Sequence, residues 1–239
     1  MSSAAGADYS AIYDPDTDFD ARYTMATVRR IAERVAPGDR VLELGCATGL
    51  MTAHLAGQGA RVTGVDRSET YLHRARARAG AGVVLLRAGL AAPGWEAHTG
   101  DGFDHVLVCN LIHEVPDPVD LLARAAALLH PGGLLHLSLQ NPDSIHRLVA
   151  VEMGLIAHVR EVSDRGGRFG TRGLWDADAL AVLAQEAGLR EVLREGVMLK
   201  PLPNAMMADL PADVLDGFEA AARHLPGHCA MNLLVLAAA

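Results

Sequence analysis

Glycines, carboxylates and histidines suited to ligand chemistry fall at three places in this 239-residue chain. The first is Val41-Leu42-Glu43-Leu44-Gly45-Cys46-Ala47-Thr48-Gly49. Gly45 and Gly49 let a ligand approach the backbone, and N–H groups at the start of the following helix favour negative charge. The G-x-G-x-x-G spacing that cradles a pyrophosphate would need glycine at Ala47 and Leu50. Glu43, just ahead of the turn, repels phosphate and attracts a cation. The second place is Asp66, roughly twenty residues past Gly45, where an acid at a strand end accepts hydrogen bonds from ribose hydroxyls. The alternative is a cap for the next helix, a role that Ser68 also fits. The third is Asn110, with Leu111 and His113 close behind it and His146 further along. Imidazole titrates near neutral pH, so either histidine can take a proton from a ligand hydroxyl. The alternative is a packed or capping histidine, the reading given to His105, His130 and His136.

The elements that must position these residues alternate between strand and helix. Val41–Leu44 reads as a buried strand and Leu50–Ala56 as the helix after it. Arg61–Asp66, Val83–Leu86, Phe103–Asn110 and Leu134–Leu139 read as further strands. Glu69–Ala79 is a helix whose Arg74, Arg76 and Arg78 read as a solvated face. Asp117-Pro118 starts a helix running to Leu129, and His130-Pro131-Gly132-Gly133 reads as a turn. Ahead of all this lie Tyr9, Tyr13, Phe19 and Tyr23, either a lid over a ligand or aromatics packed on the sheet edge, followed by a helix over Thr24–Val35. Beyond Gln140, Asp143 caps a helix carrying His146 and Arg147. Residues 158–173, with Arg160, Arg165, Arg168 and Arg172, read as a mobile substrate loop or as a plain solvent loop. A helix over Trp175–Ala187, a strand over Leu189–Leu199, a helix over Ala212–His224 and a strand over Cys229–Leu236 complete the chain. Repeated strand and helix with right-handed crossovers give a doubly wound sheet.

The first stretch resembles motif I of the class I S-adenosylmethionine methyltransferases, close to E-x-G-x-G-x-G, with Cys46-Ala47-Thr48 between the two glycines. "FDHVLVCNLIHEVPDP" and the "HPGG" at His130–Gly133 are similar to the same family, and the resemblance covers roughly residues 38–140. It implies an α/β, Rossmann-like, seven-stranded, mostly parallel sheet with an N-terminal lid and a small cap insertion. It implies S-adenosyl-L-methionine as cofactor and S-adenosyl-L-homocysteine as product, held by Tyr23, Glu43, Gly45, Cys46, Ala47, Gly49, Asp66, Arg67, Leu90, Asn110 and Leu111. The family usually has an acid shortly after the third strand. Here Arg87-Ala88-Gly89-Leu90 stands there, which leaves adenine to backbone groups around Leu90 and to apolar packing. The methyl acceptor would be a small, polar or anionic molecule, taken at oxygen or nitrogen and gripped by Tyr13, Arg147 and Arg172, with His113 or His146 as general base. "NPDSIHR", "GTRGLW" and "VMLKPLPNAMM" are similar to a subgroup found in sugar and natural-product pathways. Two other readings stand beside this one: a nicotinamide-dependent oxidoreductase, and a non-catalytic methyltransferase-like partner subunit.

Composition bounds the rest. The length suits one domain: a lid over 1–37, a cofactor-binding core over 38–140, a substrate cap over 141–173, and a sheet edge with helices over 174–239. Half of the residues are hydrophobic and the formal net charge is -8. This excludes a disordered chain and gives no phosphate-binding footprint for a nucleic acid. Cys46, Cys109 and Cys229 lack metal-like spacing and suggest reduced thiols in a cytoplasmic protein, with no metal. No apolar run is long enough for a membrane span. A monomer or a homodimer is expected.

Overall fold

The computed structural model describes residues 9–91, 93–162, 166–167 and 170–239. Arg165 and Arg168 of the expected substrate loop lie outside these residues. The strands are β1 Arg40–Leu44, β2 Arg61–Asp66, β3 Val84–Arg87, β4 Phe103–Cys109, β5 Leu129–Gln140, β6 Leu189–Leu199 and β7 Cys229–Ala238. They form one sheet of order β3-β2-β1-β4-β5-β7-β6. β1 to β5 pair in parallel, and β7 runs antiparallel to both β5 and β6. This is the expected Rossmann-like, mostly parallel arrangement. The helices are α1 Asp20–Ala32, α2 Leu50–Gly57, α3 Glu69–Ala79, α4 Glu96–Thr99, α5 Pro118–Ala126, α6 Ile145–Glu152, α7 Ala177–Glu186, α8 Asn204–Ala208 and α9 Ala212–Ala221. No helix among the described residues is long and apolar enough to cross a membrane.

Strand alternation divides the core into two layers. Leu42, Leu44, Val106, Val108, Leu135 and Leu137 pack on one face with Leu121 of α5 and Leu180 of α7. Val41 and Leu107 pack on the other with Val28 and Ile31 of α1, Leu55 of α2 and Leu215 of α9. Truncating a fully buried leucine such as Leu42 or Leu55 to alanine would cost about 2–5 kcal/mol, because the close-packed layer cannot fill the space. Glu43 falls on the face of Val41, so strand geometry aims its carboxyl at α2.

Four expectations change. α1 begins at Asp20 rather than Thr24, because Tyr23 is buried and Phe19 packs edge-on against it with ring centroids 5.3 Å apart. The His130–Gly133 stretch belongs to β5, not to a turn. There a Cβ on Gly133 would lie 2.8 Å from the Phe103 carbonyl oxygen, so glycine permits the close approach of β4. The arginine face of α3 is not simply solvated. Arg74 pairs with Asp14 at 2.7 Å, and Arg78 pairs with Asp16 at 2.7 Å. α6 is preceded by Ser144 rather than capped by Asp143, and α4 and α8 were not legible beforehand.

Candidate functional site

The turn after β1 is built by its own backbone. The N–H groups of Gly45 and Cys46 donate to the Val65 carbonyl, and that of Gly49 to the Cys46 carbonyl. Ala47 takes a left-handed φ of 45°, and its N–H donates to Asp66 Oδ2 at 2.9 Å. Ser68 N–H donates to the other Asp66 oxygen at 2.8 Å. Asp66 is therefore held beside the turn at the end of β2, while Ser68 is the residue that caps α3. With these amides already bonded inside the protein, the turn is no phosphate cradle. That fits a ligand with hydroxyls and an ammonium better than one with a pyrophosphate. Gly45 has φ 77°, and a Cβ there would meet the Leu111 side chain at 3.3 Å.

Glu43 is buried and accepts a short hydrogen bond from the Thr52 hydroxyl of α2. Burial raises its pKa to about 7, with the Thr52 hydrogen bond opposing and the Asp66 charge reinforcing the shift. The Cys46 thiol is pushed up by burial and by the same two carboxylates, so it packs as a neutral group. Asn110 at the end of β4 has φ 50°, and its buried side-chain oxygen has no hydrogen-bond partner among the described residues. A buried acceptor of this kind calls for a donor, and the ammonium of an amino-acid tail is one. The Leu90 carbonyl already accepts from Arg124 at 3.1 Å, so backbone contact to adenine there is restricted to other groups of that segment. Arg67 lies 3.9 Å from Glu114, whose pKa burial raises to about 7.

An N-terminal segment lies across this turn. Thr48 Oγ1 donates to Asp16 at 2.7 Å, Arg78 donates to the Thr48 carbonyl at 2.7 Å, and the Tyr71 hydroxyl donates to the Tyr13 carbonyl at 2.8 Å. The Tyr13 hydroxyl donates to Asp20. Residues 13–16 are thus placed against motif I and α3 by acids and backbone, while Phe19 and Tyr23 pack in the layer that holds the β6 and β7 residues at the sheet edge.

A recess of about 270 Å³ lies at the C-terminal ends of β5 and β6 and the start of β7. Asp20, Tyr23, Gln140, Asn141, His146, Arg147, Lys200 and Asn204 line it, with Pro142, Leu174, Pro203, Ala230 and Met231. Tyr23, expected at the cofactor, stands here, with its hydroxyl on Asn204 at 2.8 Å and Lys200 Nζ 5.5 Å from its ring centroid. His146 hydrogen-bonds Ser144, and burial, Lys200 and Arg147 lower its pKa to about 3. Arg147 is bonded to the carbonyls of Val159 and Glu161, so its guanidinium fastens the cap to α6 instead of standing free to grip a ligand. Arg172 is exposed and does not line this recess; its backbone N–H donates to the His113 carbonyl at 2.8 Å. His113 lies at the other end of that tie, lowered to a pKa of about 4 by burial, with Nδ1 buried and unpartnered among the described residues. Sequence reasoning missed Asp20, Lys200 and Asn204. A lysine directly after the buried run Val197–Leu199 was the available signal.

A family model described as a methyltransferase domain matches residues 18–194. A ubiquinone biosynthesis O-methyltransferase of Thiobacillus denitrificans is 31% identical over 213 residues, covering 84% of this chain and 88% of that protein. One of Burkholderia pseudomallei is 28% identical over 206 residues, with the same coverage of 84% and 88%. Among solved structures, an S-adenosylmethionine-dependent methyltransferase of Mesorhizobium loti superposes with TM-score 0.60 at 18% identity, covering 91% of this chain and 99% of that one. These matches displace both the nicotinamide reading and the non-catalytic one. The chain belongs to the class I S-adenosylmethionine-dependent methyltransferases.

Proposed function

We propose that this enzyme methylates an oxygen of a small polar acceptor held in the recess between α1, α6 and the loop after β6. One observation carries the reading: the recess begins at Gln140 and Asn141, at the end of the strand next to β4, whose own end is Asn110. Ligands of open α/β sheets bind at such carboxyl ends. Acceptor and cofactor would thus share one rim of the sheet. The naming of the relatives as O-methyltransferases favours oxygen over nitrogen.

In this reading Asp66 accepts from the cofactor's ribose, Asn110 accepts from its amino-acid tail, and Gly45, Cys46, Ala47, Gly49 and Leu111 shape the wall. Glu43, Arg67 and Leu90 act from behind that wall. When bound, S-adenosylmethionine supplies a methyl group already activated on a sulfonium, and S-adenosylhomocysteine is the product. The chain's own task is alignment of the acceptor and disposal of its proton. Tyr13 acts through Asp20, Arg147 through the cap, and Arg172 through its backbone tie to His113. His113 and His146 are both neutral at pH 7 and able to accept a proton, though their low pKa values make them weak bases. Calorimetry with S-adenosylhomocysteine, followed by mass spectrometry of products from a panel of phenols, carboxylic acids and amines, tests the reading. Tight cofactor binding with transfer to amines alone would refute it.

A further inference from the structure

We propose that Lys200 holds the acceptor's reacting oxygen as an oxyanion, so that an acidic hydroxyl compound, a phenol or an enol, is the class of acceptor that the recess selects. This rests on the reading of the recess as the acceptor site. Lys200 follows β6 directly and is only 8% exposed. Its carbonyl accepts from His146 N–H at 3.1 Å, which ties the lysine to the first turn of α6. Its ammonium stands over the Tyr23 ring, 5.5 Å from the centroid, in a cation–π contact.

The charges facing the recess come from three elements. α1 contributes Asp20, α6 contributes His146 and Arg147, and the end of β6 contributes Lys200. Asp20 has its oxygens engaged by Tyr13 and by Asn204. Arg147 is spent on the carbonyls of Val159 and Glu161. His146 is neutral. Among the described residues two cations thus face one carboxylate, and the rest of the wall mixes the apolar Pro142, Leu174, Pro203, Ala230 and Met231 with the amides of Gln140, Asn141 and Asn204. A small anion with a flat or apolar body suits such a room.

The acceptor O–H breaks as the hydroxyl binds, and its proton leaves to bulk water. A lone pair of the resulting oxyanion then forms the O–CH3 bond while the S–CH3 bond breaks, its electron pair staying on sulfur as a neutral thioether. No histidine needs to act as base.

The test uses 4-nitrophenol as probe, because its visible absorbance reports its ionisation. It is titrated with the full-length protein, with Lys200→Met and with Lys200→Arg, each checked for folding by circular dichroism and for S-adenosylhomocysteine binding by calorimetry. The wild-type protein should bind the phenolate about tenfold more tightly than the phenol, moving the bound probe's apparent pKa down by about one unit. Lys200→Met should lose that shift, Lys200→Arg should keep most of it, and His113→Gln and His146→Gln should leave it in place. A shift that survives in folded Lys200→Met, or no binding of the probe to the wild type, overturns the proposal. If S-adenosylhomocysteine itself fails to bind the wild type, the acceptor-site reading falls as well; if it binds normally, only the role of Lys200 is lost.

Discussion

Gly49→Ala is the sharpest perturbation of the motif I turn. Gly49 has φ 77°, and a Cβ there would lie 2.9 Å from Ala75 Cβ and 3.0 Å from Ala75 Cα on α3. The left-handed conformation costs an L-residue about 1–2 kcal/mol. The contact with α3 is against backbone, which cannot turn aside, so the helix must move; overpacking of this kind costs about 1–3 kcal/mol more. The expected loss is therefore about 2–5 kcal/mol. Gly45→Ala is the matched control. It has the same φ of 77°, but its closest neighbour is the tip of the Leu111 side chain at 3.3 Å, which can rotate away. It should lose only the conformational part, about 1–2 kcal/mol. Urea titration of the two variants, read by circular dichroism and extrapolated linearly, measures the difference. If Gly49→Ala proved no less stable than Gly45→Ala, the close α2–α3 approach would not be what the glycine serves.

Asp66→Ala removes the acceptor for the N–H groups of Ala47 and Ser68; S-adenosylhomocysteine affinity should fall by about 1–3 kcal/mol by calorimetry, and unchanged affinity in a folded variant would remove Asp66 from the site. If His113 is a base, it must be unprotonated, and its pKa of about 4 places the acid limb of the rate near pH 4; a limb near pH 6.5 that disappears in His113→Gln would contradict its burial. His136, buried against His105 at 3.0 Å, has its pKa lowered to about 3 by burial and by the charges of His105 and Arg34. Because the folded value lies below the unfolded value of about 6.5, stability present above that pH is lost as pH falls below it, at about 1.4 kcal/mol per unit. Glu43 and Glu114, both raised to about 7, act with the opposite sign between their unfolded value and that pH. His136→Leu should therefore flatten the acid side of a stability–pH curve, and a curve of unchanged slope between pH 6 and pH 4 would count against the assignment.

The sheet was legible because its signals are local. β2, α3 and β6 match their expected bounds residue for residue, since residues that end strands and start helices flank them closely: Arg61–Asp66 is framed by Gly59 and Ser68, and Leu189–Leu199 by Gly188 and Pro201. The cofactor turn was legible for the same reason, being contiguous in sequence. The acceptor recess was not. Asp20, Tyr23, His146, Lys200 and Asn204 come from three stretches of chain far apart in sequence, and only the packing of α1 against β6 and β7 brings them together. Arginines gave the weakest guidance. Of the two assigned to the acceptor by charge, Arg147 lines the recess with its guanidinium bonded to a loop and Arg172 is exposed, while Arg74 and Arg78, assigned to solvent, clamp the N-terminal segment.

That clamp has a consequence for the order in which the protein matures. Asp14 and Asp16 meet Arg74 and Arg78 across separations of 58 to 62 residues. α2 and the turn before it form within a short span of chain, whereas the clamp waits for α3 to be made and docked. Contacts of long separation close late, since the intervening chain must first lose its freedom. During synthesis the N-terminal segment emerges first and finds its seat among the later arrivals. On refolding, far-ultraviolet ellipticity should recover before the Thr48 carbonyl gains its Arg78 donor, and the cofactor turn reaches its final form only when the first part of the chain has come back to it.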